Sequence, residues 1–110
     1  METFVVGELE FIGEPSKDEL SLIQSELEVH PENNNYWEAN KLHIEKNTNG
    51  NTTVHILSVN WTSHIDNEGI KQMLKTLEKR LVRYSLSLFY LNEPYANFYK
   101  EDEKRRRGKQ

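Results

Sequence analysis

Residues 66–81 read Asp66-Asn67-Glu68-Gly69-Ile70-Lys71-Gln72-Met73-Leu74-Lys75-Thr76-Leu77-Glu78-Lys79-Arg80-Leu81, and what flanks this stretch decides the fold. Ile70, Met73, Leu74, Leu77 and Leu81 fall at i, i+3, i+4, i+7 and i+11, one apolar stripe of an amphipathic helix. Asp66 or Asn67 can cap its start, because a short polar side chain satisfies an amide left without a partner in the first turn. Ser85 to Leu91 follows as a strand. Glu93-Pro94 interrupts that strand, and Tyr95 to Lys100 continues it as an edge extension. The second half of the chain therefore ends helix, strand.

Upstream, Tyr36–Lys46 and Thr52–Trp61 are strand-like and separated by Asn47-Thr48-Asn49-Gly50-Asn51. Asn-Gly suits the positive φ angles of a type I′ turn, so the pair reads as a hairpin. A turn centred on Asn49-Gly50 places His43 opposite Ile56 and His55 opposite Ile44, with the two histidines on different faces. A three-residue loop would instead set His43 directly opposite His55. Leu57, Val59 and Trp61 alternate on one strand face, which reads Trp61 as core.

The chain opens in the same way. Phe4 to Ile12 alternates as a strand, and Ser16 with Glu19 has the spacing of a capping box, in which each residue satisfies the other's backbone amide. Leu20, Ile23 and Leu27 then share one helical face, which Pro31 and Asn33-Asn34-Asn35 end. The element order is βαββαβ. Its compact solution is an α+β ferredoxin-like sandwich, a four-stranded antiparallel sheet with two helices on one face. Residues 1–100 form this single domain, and residues 101–110 read as a basic, disordered tail without an apolar side chain.

Composition narrows the function classes. The 110 residues include 14 basic and 18 acidic side chains and no cysteine, which excludes disulfides, thiolate metal sites and a cysteine nucleophile. No apolar run approaches the roughly 18 residues that span a bilayer, and the first residues lack a signal-peptide layout. The expectation is a soluble, cytoplasmic protein with no membrane partner.

Four histidines (His30, His43, His55, His64) show no metal-ligand spacing, and two of them on paired strands are only half a site. There is no nucleophile elbow and no glycine-rich phosphate cradle, and Gly13-Glu14-Pro15-Ser16 lacks the arginine that an acylphosphatase loop needs. Glu8 and Glu10 on one strand face read as a solvated edge. No catalytic residue, metal or cofactor is expected.

Charge is unevenly distributed. Residues 1–38 hold ten acids and one lysine, a net of −9, and residues 39–110 hold a net of +5. The acidic portion could meet a basic protein surface through Glu19, Glu26 and Glu28 of the first helix, with Trp37 as an aromatic anchor. The alternative is nucleic-acid binding. Lys71, Lys75, Lys79 and Arg83 recur every four residues as a helix ridge, and the tail adds Arg105, Arg106 and Arg107. A third reading is a homodimer made by pairing sheet edges.

Residues Ser85–Asp102, with a strand, a Glu-Pro break and an aromatic continuation, resemble the last strand of YubB-type ferredoxin-like small proteins of phages and plasmids. Val59-Asn60-Trp61-Thr62-Ser63-His64-Ile65 is similar to that family's tryptophan-containing approach to the second helix, and Gly7–Gly13 to its first strand. The resemblance implies a ferredoxin-like fold and a mobile-element origin. It brings no active site with it. The leading expectation is a non-catalytic binding protein that acts on a host protein or nucleoprotein, as an inhibitor.

Overall fold

The computed structural model describes residues 3–31, 41–60, 65–91 and 93–101, with backbone alone for His30, Pro31, Lys41 and Asn60. In chain order the elements are β1 (Thr3–Phe11), α1 (Lys17–Leu27), β2 (His30–Pro31), β3 (Lys41–Lys46), β4 (Thr52–Asn60), α2 (Asn67–Leu77), β5 (Leu81–Tyr90) and β6 (Glu93–Lys100). A single 3₁₀ turn, Glu78–Arg80, joins α2 to β5. The strands form one sheet in the order β2-β3-β4-β1-β5-β6. Five of them, β3 to β6 with β1, pair antiparallel, and the two-residue β2 lies parallel to β3 at one edge. The fold is α+β with two helices, and its antiparallel sheet is wider than the four strands expected.

The extra width comes from the end of the chain. Residues 93–100 do not prolong β5. They turn back and pair with it, Tyr84 opposite Lys100 and Leu86 opposite Phe98. Leu91 turns the chain with a left-handed φ of 52°, two residues before Glu93. Proline is tolerated there because β6 is the last strand of the sheet. Phe98 is buried and belongs to the core.

Both helices begin as their sequences dictate. Ser16 Oγ accepts from the Glu19 amide at 3.1 Å and Glu19 Oε1 accepts from the Ser16 amide at 2.8 Å, so the capping box is formed. Asp66 caps α2 by accepting from the Glu68 amide at 3.2 Å. Helix α1 buries Ile23 and Leu27, with Leu20 packed at the margin, and α2 buries Ile70, Met73, Leu74 and Leu77. Against them lie Val5, Leu9, Phe11, Val54, Ile56, Leu86 and Leu88 from the sheet. Ser58 is buried on the same side and donates its hydroxyl proton to the Leu27 carbonyl, tying β4 to the end of α1.

The apolar stripe overshoots the second helix. Leu81 is buried, but as the first residue of β5 rather than as the last turn of α2. A strand start and a helix end can both place a leucine on the core side, so periodicity alone does not separate them. Arg83 therefore sits on a strand. The four-residue ridge ends at Lys79.

The β3–β4 hairpin takes the longer of the two loops. Asn47 and Asn51 are joined by an amide-to-carbonyl bond of 2.8 Å, leaving Thr48, Asn49 and Gly50 as the loop, with Gly50 at φ +90°. Asn49 Oδ1 accepts from the Asn51 amide at 3.0 Å and stabilises it. The register follows, with Leu42 opposite Ile56 and His43 opposite His55. The buried face of β4 is thus Val54, Ile56 and Ser58. Leu57 and Val59 lie on the opposite side, so their alternation does not assign Trp61 to the core; Trp61 itself is outside the described residues.

Candidate functional site

A pleated strand alternates its side chains, and β1 shows the result most clearly. Val5, Leu9 and Phe11 are buried under the helices, while Val6, Glu8 and Glu10 point the other way. No described element covers that second side. Cross-strand pairing extends it into a face five strands wide.

The open face divides along the strands. Toward one end it carries Phe4, opposite both Val59 and Phe89, and Val6, opposite Leu57 and Ser87. Val6 is 42% exposed and Leu57 47%, large values for β-branched and leucine side chains in mid-strand. Toward the other end lie Glu8, Glu10, Glu45, His43, His55 and Arg83. Arg83 donates to Glu8 Oε1 at 2.8 Å and to Glu10 Oε1 at 3.2 Å, and so bridges two carboxylates of the neighbouring strand. Asn51 donates to the other Glu10 oxygen at 3.0 Å. His55 lies 3.0 Å from Glu45 and 3.6 Å from Glu8, with the His43 ring centred 5.8 Å away.

Glu8 and Glu10 are therefore not at a solvated edge. They occupy the central strand, and one arginine orders them. The sequence signal was available in the alternation Arg83, Ser85, Ser87, Phe89 against Leu86 and Leu88. It was hidden because Arg83 also continues the lysine spacing of α2.

Of the acids expected to form a surface on α1, Glu19 is engaged inside the fold. Glu19 closes the capping box and also accepts from Arg80 Nε at 3.0 Å. Burial pushes the Glu19 carboxyl up, but its bonds from the Ser16 amide and Arg80 outweigh this and hold it below its ordinary value. Glu26 lies against α2, so close that a β-carbon at Gly69 would fall 2.1 Å from its Oε1. Glu28 ends the helix in the left-handed region with φ 53° and is exposed. Trp37 and the tail residues Arg105, Arg106 and Arg107 lie outside the described residues.

Of the basic ridge, Lys71, Lys75 and Lys79 are exposed on the helix layer, and Lys71 contacts Glu68 at 3.4 Å. Arg83 is on the opposite side of the sheet. The structure thus separates the four residues that sequence spacing had joined. Lys100 is also part of the fold, donating to the carbonyls of Glu78 and Leu81 where α2 gives way to β5.

Among the described residues, no group of three or more His, Asp and Glu side chains is placed to hold a metal ion, and no helix is long and apolar enough to cross a membrane. A cavity of about 400 Å³ lies at the start of α2, lined by Thr3, Ile65, Asp66, Leu88, Tyr90 and Tyr95 among others. Asp66 is committed there to capping the helix. Comparison of the chain with family models, curated proteins and solved structures finds no match.

Proposed function

We propose that this chain is a non-catalytic binding protein that acts on a macromolecular partner through the open face of its sheet. The observation that carries this reading is the one-sided cover. An antiparallel sheet with one solvated face ordinarily alternates apolar inside with polar outside. Here the uncovered side keeps Phe4, Val6, Leu57, Val59 and Phe89 together, an apolar patch of the kind that marks interaction surfaces.

The antiparallel order β3-β4-β1-β5 with both helices on one side supports a ferredoxin-like core, widened by β6. The resemblance to YubB-type proteins supports a phage or plasmid origin. A host protein or nucleoprotein is then the target, and inhibition by occlusion the effect. The acids of α1 contribute less to this reading than the sheet does, since Glu19 is already bonded to Arg80 and Glu26 lies against Gly69 of α2.

The second reading is nucleic-acid binding on the helix layer, favoured by the exposed Lys71, Lys75 and Lys79. A photoreactive amino acid separates the two. Placed at Leu57 in the intact chain, in the cells that encode it, it is expected to crosslink a discrete protein; placed at Lys75 it is not. A nucleic-acid adduct at Lys75, with none at Leu57, would overturn the first reading in favour of the second.

A further inference from the structure

Resting on the open face as the docking surface, we infer that its occupant is a protein surface apolar at one end and cationic at the other. The cationic end lies over Glu8, Glu10 and Glu45. The polarity of the face runs along its strands, so a partner that matches both halves can dock in only one direction.

Size argues first. Strands about 4.8 Å apart and a rise of about 3.3 Å per residue make the face roughly 20 by 30 Å, comparable with one side of a standard interface. The apolar half alone gives about half of that, less than stable association needs. A partner must therefore cover the charged half as well.

Charge then selects among occupants. The described acids Glu8, Glu10 and Glu45 outnumber Arg83, so a phosphate backbone would meet net repulsion there. A second copy fares no better. Stacked in one direction it would set carboxylates on carboxylates. Stacked in the other it would press them onto Val6, Leu57 and Phe89, where they lose water without gaining a partner. A cationic and apolar protein surface satisfies both halves. Arg83 holds Glu8 and Glu10 in place, and His55 does the same for Glu45, so the acidic end is preorganised rather than ordered on binding.

The test uses the intact ¹⁵N-labelled chain and three probes. These are a helical peptide with leucines in its first half and arginines in its second, the same peptide with glutamates for arginines, and a single-stranded oligonucleotide. The arginine peptide should shift the amides of Val6, Leu57, Glu8 and His55. Leu57→Asp should weaken it about tenfold and Glu8→Gln with Glu45→Gln about threefold, while Glu26→Gln leaves it unchanged. Leu57→Ser serves if the aspartate variant does not fold.

If the glutamate peptide or the oligonucleotide binds this face as tightly, the docking surface stands and the cationic partner falls. If arginine-peptide binding follows Glu26 instead of Glu8 and Glu45, the inference falls as well. If no probe perturbs the face of the folded chain, the docking surface itself is wrong.

Discussion

The two sides of one sheet are built from the same five strands and differ in almost every physical respect. Beneath the helices, Val5, Leu9, Val54, Ile56 and Leu86 reach at most 3% exposure, and the buried Ser58 hydroxyl donates to the Leu27 carbonyl. On the open side no described residue of β1 is fully buried, and its carboxylates are held by Arg83 between Glu8 and Glu10 and by His55 between Glu8 and Glu45. The first side is organised by removal of water, the second by charge in contact with water. Stability therefore resides on one side, and the capacity to bind on the other. That division can be tested position by position.

The largest effect should come where the two strands at the centre touch. Gly7 has φ +151°, and a β-carbon there would stand 1.9 Å from the Ser85 carbonyl oxygen. Gly7→Ala must therefore move β5 away from β1 across the middle of the sheet. The expected loss is about 3 kcal/mol or more, read by urea unfolding. A loss below about 1 kcal/mol would mean that the central pairing is not the frame on which both faces depend.

Next comes a matched pair of leucines. Leu9 is fully buried and Leu57 is 47% exposed, on adjacent strands and opposite faces. Leu9→Ala should cost about 3 kcal/mol and Leu57→Ala under about 1 kcal/mol. Binding should respond in the reverse order. Equal destabilisation would show that the open face is part of the core, and the comparison would break.

How far the sequence anticipates this depends on which force a segment obeys. Helix α1 is legible from Ser16, Glu19, Ile23 and Leu27, because capping and periodicity are local. The stripe of α2 is equally plain as far as Leu77. The sheet's width was not legible, because only tertiary pairing decides whether residues 93–100 prolong β5 or fold back on it. The hairpin register turns on Gly50, whose positive φ serves either loop, so the local sequence is compatible with both registers. Arg83 was misplaced for a similar reason. A four-residue recurrence of cations fits a helix ridge, yet Lys79 and Arg83 fall on either side of a helix-to-strand change. Consequently spacing alone puts the arginine that organises the open face in the wrong layer.

The smallest effect concerns the other arginine. Arg80 does on the covered side what Arg83 does on the open one, donating to Glu19 at 3.0 Å and to the Glu14 carbonyl at 2.9 Å. Removing it should cost about 1 kcal/mol at neutral pH, since its partner is partly buried. The cost should also depend on pH in a definite direction. Glu19 titrates below its ordinary 4.5 in the folded chain, in part because of Arg80. Its contribution is thus complete above pH 4.5 and is lost as pH falls through the lowered folded value. The stability gap between the natural chain and Arg80→Met should be constant from pH 7 to about 5 and narrow below 4.5, measured by urea unfolding at each pH. A gap that stays open at low pH would mean that Arg80 acts through packing and its bond to the Glu14 carbonyl instead of through charge. The Arg80–Glu19 contact would then contribute nothing through charge, and the contrast with Arg83 on the open face would be sharper still.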